Sequence, residues 1–289
     1  MNSVRISAKA WGRRAGPFVL FLALGLLVFV VFSHLRPMLG GEIDLIGRTA
    51  VIAMLLLVAL WARQSKRLKK YWQVLFAFFV AALATGIDYY LPSSKWLLSS
   101  LGIAIKTPAG LALDKLDSSI LIIVCILLLT KASGGSLASI YLKKGNLRQG
   151  LTFGVIAFLV AAAGSIPLAG LWGAQDLSLT RVLPWIPWIL IFIAGNAFNE
   201  ELLFRGLFLQ KMDPLVGRFC SNLVLAIPFV LHHTGVTYTP SQWMFLAELL
   251  PLALAWSYIT QRTGSLWGSV LFHAGTDIPI VLVLFSTLH

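Results

Sequence analysis

The chain has 289 residues, of which 58% are hydrophobic and 12% charged, about half the charged share of a soluble domain. A net charge of +12 would suit a nucleic-acid binder, but the basic residues fall in short stretches between long apolar runs, where they orient a chain against a membrane. Composition therefore excludes a soluble domain of any size and a nucleic-acid partner. It predicts an all-α, polytopic membrane helical bundle.

Residues 1–16 are basic (Arg5, Lys9, Arg13, Arg14) and precede the apolar run Pro17–Ser33. No small-residue cleavage site follows, only His34-Leu35-Arg36-Pro37, so this run is expected to be an uncleaved first span. Further spans are predicted at 48–62, 71–91, 117–131, 150–172, 182–210, 217–236, 243–261 and 265–287, giving eight or nine helices. A crossing takes about 20 residues, which leaves 48–62 and 117–131 short and open to a re-entrant alternative. The connection 92–116 contains Trp96-Leu97-Leu98 and Ile103-Ala104-Ile105 and is expected to lie along the membrane surface. With the N-terminus inside, 17 of the 23 basic residues, Arg205 among them, fall on the inner side. The other six are Arg36, Arg48, Lys95, Lys106, Lys115 and Arg181, and the alternation predicts an N-inside topology. Cys125 and Cys220 lie in apolar runs and make no disulfide framework.

The unusual residues concentrate in the last third, so the chain divides into 1–150, a membrane-spanning region of unassigned role, and 151–289, which holds the chemistry. Asp88, Glu200, Glu201, Glu248 and Asp277 lie within or at the ends of predicted spans, as do His232, His233 and His273. An ionisable group in hydrocarbon is costly and calls for a partner or a task. Three patterns stand out.

In Glu200-Glu201-x-x-x-Arg205, Glu201 and Arg205 are one helical turn apart and can pair. Glu200 is about 100° further round the helix and free to face a cavity. In Phe229-x-x-x-His233 the aromatic ring can wall one side of the imidazole, while His232 faces elsewhere. In His273-x-x-x-Asp277 two polar groups again share a face, with small residues between them that permit close packing. Glu248 reads as a helix-packing residue with its charge neutralised, with lining the cavity as the alternative. Asp88-Tyr89-Tyr90 reads as part of an interfacial belt, and His34 and His289 have no nameable partner.

Three helices that each offer polar groups at one-turn spacing can converge on one buried site. A glutamate beside a histidine can activate water as a general base, and groups on the facing helix can steady an oxyanion. Alternatively, His233, His273 and Glu200 can hold a zinc ion, although His-Glu-x-x-His, the common helical zinc motif, is absent. No firmer cofactor is implied.

These three motifs, in this order on successive membrane helices, resemble the CPBP family: the CAAX proteases and bacteriocin-processing enzymes, also called the Abi or type II CAAX prenyl endopeptidase family. The resemblance spans roughly residues 182–287. It implies an intramembrane endopeptidase whose site opens toward the inner side, acting on membrane-associated, lipidated or leader-bearing protein substrates, in contact with membrane lipid. By motif position Glu200 would activate water, assisted by His233. His273 and Asp277 would form the oxyanion side, and Glu201, Arg205 and Phe229 would support the site. Asp277 stands where the eukaryotic enzymes carry asparagine, and an aspartate serves there only when protonated or bridged. The family has been described both as metalloproteases and as glutamate proteases. The expected location is a bacterial plasma (inner) membrane, although the sequence itself does not identify the source. A non-catalytic scaffold or immunity factor of the same family is the alternative. A transporter is disfavoured by the lack of an internal repeat.

Overall fold

The computed structural model describes residues 8–236 and 238–288. Arg5 and His289 lie outside the described residues, as do the side chains of Lys9 and Arg13. Among the described residues there are helices and no strand. In order these are α1 (Ala8–Leu26, extended by a π turn, Leu27–Val31), α2 (Gly41–Gln64), α3 (Trp72–Tyr90), α4 (Ser93–Leu101), α5 (Pro108–Ala132) and α6 (Leu147–Leu171). Then follow α7 (Leu179–Val182), α8 (Ile186–Glu200), a π turn (Glu201–Gly206), α9 (Leu207–Val216), α10 (Arg218–His232), α11 (Gln242–Thr263) and α12 (Trp267–Ser286).

Among the described residues seven helical segments are long and apolar enough to cross a membrane, where eight or nine were expected. The chain is an integral, multi-pass membrane protein. Much of the surface suits lipid contact: only 11% of the apolar window of α6 is buried, with Ile156, Leu159 and Val160 exposed. Two predicted spans fall outside the seven for identifiable reasons. α10 has 15 residues, short for a crossing. α5 has 25, about 37 Å of helix, but its first half carries Asp114, Lys115 and Asp117. Conversely, α2 is no short or re-entrant piece, at 24 residues.

α2 was underestimated because Arg48 looked like a solvated boundary. It is buried in the second turn of the helix, paired with Asp44 at 3.1 Å, donating to the Phe32 carbonyl at 2.6 Å and lying 4.8 Å from the Tyr89 ring centre. Arg48 is thus an interior residue, not a loop charge. The connection 92–116 contains α4, which turns Leu98 inward and leaves Trp96 and Leu101 exposed, before Thr107 caps α5 through the Gly110 amide. Cys125 and Cys220 are free and half-buried.

The arrangement that positions the last-third residues has α8 between α5 and α12, with α10 and α11 closing the other side. α12 is held against α6 by backbone contact at glycine. A Cβ on Gly268 would lie 2.7 Å from the Gly150 carbonyl, and one on Gly275 would lie 2.7 Å from the Phe158 Cα. Small residues let membrane helices approach this closely where no hydrophobic drive separates lipid from protein. Gly275 lies between His273 and Asp277, so the same contact sets the depth of both. Gly268→Val is expected to push α12 off α6 and to cost about 1–3 kcal/mol, read as a lower Tm in detergent. An unchanged Tm would contradict this packing.

Candidate active site

The helix carrying Glu200 does not run through unchanged. From Glu201 to Gly206 the backbone forms a π turn, with hydrogen bonds i→i+5, before α9 resumes. Such single turns recur at functional sites because they redirect side chains without ending the helix. Every side chain in this one is buried. Arg205 therefore does not begin an inner loop, and its place in the inner charge count is corrected: it lies in the core, fully buried.

Glu201 and Arg205 form the expected pair, at 3.1 Å, with no solvent exposure on either side chain. Arg205 also donates from Nε to Ser257 Oγ (3.3 Å) and from Nη2 to the Ala253 carbonyl (3.1 Å), both on α11. Its guanidinium lies 4.5 Å from the Phe229 ring centre and 5.3 Å from that of Trp256. The pair is thus enclosed by cation–π and hydrogen-bond contacts that offset part of its desolvation.

Glu201 has a second partner. The His273 Nδ1 lies 2.9 Å from Glu201 Oε1. A carboxylate already paired with a guanidinium only accepts, so Nδ1 carries the proton and donates it. The other ring nitrogen, Nε2, faces Glu200 Oε2 at 3.6 Å and Asp277 Oδ1 at 3.5 Å. The ring is fixed in plane by stacking on Trp256, with centroids 3.9 Å apart and an interplanar angle of 9°. Asp277 Oδ2 accepts from Asn196 Nδ2 at 3.0 Å.

His233 caps the C-terminus of α10, where Gly235 (φ +87°) ends the helix. Its Nδ1 lies 2.8 Å from the Phe229 carbonyl. Because a carbonyl only accepts, the neutral ring has Nδ1–H and an unprotonated Nε2. The Phe229 ring lies 4.8 Å from the His233 ring and 6.1 Å from that of His273. His232 does face elsewhere: its Nδ1 lies 2.8 Å from both Ser33 Oγ and the Phe29 carbonyl, and its ring is 4.8 Å from that of His34.

A cavity of about 60 Å³ brings Glu200, His233, His273 and Asp277 to one space. Asn196, Trp256, Tyr238 and Lys115 also line it, and sequence reasoning assigned none of them. Asn196 had a usable signal, since it stands one turn before Glu200 as Arg205 stands one turn after Glu201. Trp256, Ser257 and Lys115 had none. Glu248, for which helix packing was preferred over lining the cavity, is exposed at the cavity rim. Burial, and then the carboxylates Glu200 and Asp277, push the Tyr238 phenol above its ordinary range, so it stays a neutral hydroxyl at that rim. Glu200 Oε2 is buried and has no hydrogen-bond partner among the described residues. It is the one cavity carboxylate so left.

For a metal, the second contacts of both histidines would suit, since metal-bound imidazoles commonly donate their other N–H to a carbonyl or carboxylate. The first contacts do not fit. Among the described residues no three histidine, cysteine, aspartate or glutamate side chains gather closely enough to hold an ion. His233, His273 and Glu200 are therefore no ready zinc cage.

The cavity is lined from the connections 33–39 and 233–241 and from Trp172, at the ends of α1, α10 and α6. That end of the bundle is opposite to the basic connections near 63–70, 131–148 and 211–218. An N-inside topology and a site that opens inward cannot both hold.

Removing the guanidinium from beside Glu201 leaves an uncompensated buried carboxylate. Arg205→Ala is expected to cost about 3–5 kcal/mol. Arg205→Lys is expected to recover little of it, because an ammonium cannot span Glu201, Ser257 and Ala253 together. Thermal unfolding in detergent checks both, and a wild-type Tm for Arg205→Lys would contradict the geometry.

No curated protein and no solved structure matches the chain. Residues 182–279 match the family model described as type II CAAX prenyl endopeptidase Rce1-like. That segment contains all three motifs, from Glu200 to Asp277, and over it the chain is similar to the CAAX-type intramembrane protease family.

Proposed function

We propose that the chain is an intramembrane endopeptidase that hydrolyses a peptide bond with water activated by Glu200 and His233, without routing any step through a metal. The observation that carries this reading is the enclosure of His273. It is held at Nδ1 by an ion-paired Glu201 and presents Nε2 to Glu200 and Asp277 inside the cavity that also receives His233.

The roles follow from donor and acceptor capacity. Glu200 has an unpartnered oxygen and His233 an acceptor nitrogen, so both can receive a proton from an attacking water. As the water oxygen bonds to the scissile carbonyl carbon, Glu200 takes its proton and the carbonyl oxygen becomes an oxyanion. Donors on the opposite wall are the Asn196 amide and, with the ring doubly protonated among Glu200, Glu201 and Asp277, the His273 Nε2–H, which stabilise that charge where it develops. Asp277 is an acceptor and contributes by holding both of them. When the C–N bond breaks, Glu200 returns the proton to the leaving amine, giving one new carboxyl terminus and one new amino terminus. Glu201, Arg205 and Phe229 keep His273 and His233 in place.

The substrate class is a peptide segment of a membrane-associated protein, reached within a bacterial plasma membrane. Glu200→Ala and His233→Ala are each expected to lower processing by about 10²–10⁴-fold with the protein inserted and folded. The measurement is a comparison of terminal peptides in the host membrane fraction with and without each variant. Glu200→Gln separates catalysis from scaffolding, because it preserves shape and removes the base. If Glu200→Gln supports processing at the wild-type level, the proteolytic reading is wrong.

A further inference from the structure

The side of the membrane from which substrate reaches this site can be argued from three observations that do not depend on one another. The first is charge. Contacts between connections divide the loops into two groups at opposite ends of the bundle. At one end, Asn146 N donates to the Thr263 carbonyl, Ser265 Oγ to the Lys143 carbonyl and Lys211 Nζ to the Ser139 carbonyl, and Arg218 reaches the Gln261 carbonyl. At the other end, Ser33 meets His232, Arg36 donates to the Gly235 carbonyl, and Arg181 and Gln175 meet Ser286. Setting aside the buried Arg205, the first end carries thirteen described Lys and Arg side chains and the second six, of which Arg48 is locked in the interior. The excess of Lys and Arg in short loops marks the cytoplasmic side.

The second observation is where the cavity leads. A neighbouring cavity of about 240 Å³ is lined by Asp88, Asp114, Asp117 and Ser93 at the second end of the bundle. It shares Leu35 and Lys115 with the catalytic cavity, so the two adjoin at those residues. A polar chamber beside the site is a route for water, which a hydrolase in hydrocarbon needs. The third is what closes the opposite direction. Between Glu200 and the basic end stand Leu202, Leu203, Phe204, Leu207 and Phe208, none more than 2% exposed. The cavity at the basic end, beside Lys211 and Trp72, shares no lining residue with the catalytic one.

We propose that the catalytic cavity opens on the non-cytoplasmic face of the membrane, and that its substrates are segments presented there by translocated, membrane-anchored proteins. A tail offered from the basic side would have to pass the apolar plug. This inference names a substrate class for the proteolytic reading and rests on it for that part; the sidedness itself does not.

The test is cysteine labelling in a Cys125→Ser, Cys220→Ser background, with a membrane-impermeant maleimide on intact cells. Thr234→Cys and Ser178→Cys, at the cavity end, are expected to be labelled without permeabilisation. Gln64→Cys and Lys144→Cys, at the basic end, are expected to be labelled at least ten-fold more after permeabilisation than before it. Leu35→Cys, where the two cavities meet, is expected to follow Thr234→Cys. The reverse pattern, or equal labelling of both ends on intact cells, overturns the proposal. Because labelling needs no catalysis, an inactive but outward-labelled protein would defeat the proteolytic reading alone. An active protein labelled only from within would defeat the sidedness alone.

Discussion

The structure depends on the burial of one ion pair whose carboxylate has a second obligation. Glu201 is paired with Arg205 and also holds His273 Nδ1. An isolated carboxylate in this interior would be too costly to keep ionised. Three helices supply what it lacks: the π turn after α8 carries the pair, α11 provides Ser257 and the Ala253 carbonyl for the guanidinium, and α12 provides the imidazole. The same contacts leave Nε2 as the nitrogen that His273 presents to the cavity. Support and chemistry are therefore linked through one ring, and Trp256 stacked beneath it removes its rotational freedom.

Much of this was legible in the sequence because helical spacing is a local property. Glu201 and Arg205, Phe229 and His233, and His273 and Asp277 are each four apart, and each pair does meet or share a wall in the folded chain. The division between Glu200, facing the cavity, and Glu201, facing Arg205, followed from the 100° step between neighbours. Glu201 binding His273 was not legible. It depends on how far α12 slides against α6, which the close backbone contact at Gly268 and Gly275 decides. Asn196 stood in the right register and was passed over, because an asparagine near a helix end has many ordinary uses.

The errors share one cause. Arg48 and Arg205 were counted among the loop charges, although spacing also paired Arg205 with Glu201, and for Glu248 helix packing was preferred over lining the cavity. Both arginines proved to be interior residues with several partners each. Glu248 proved to lie at the cavity rim, the less favoured of its two readings. Whether a charged residue in an apolar run has partners is a tertiary fact. In a membrane chain it also alters the charge count from which topology is argued, and so it bears on which side the catalytic cavity faces.

The central claim is that His273 is held with Nδ1–H donated to Glu201 and Nε2 turned to the cavity. The most direct measurement is the 15N spectrum of the ring-labelled histidines in the membrane-embedded protein, with the His273→Gln spectrum identifying the signal. The account predicts a protonated, hydrogen-bonded Nδ1 for His273 at neutral pH. A His273 signal with Nδ1 unprotonated would contradict it.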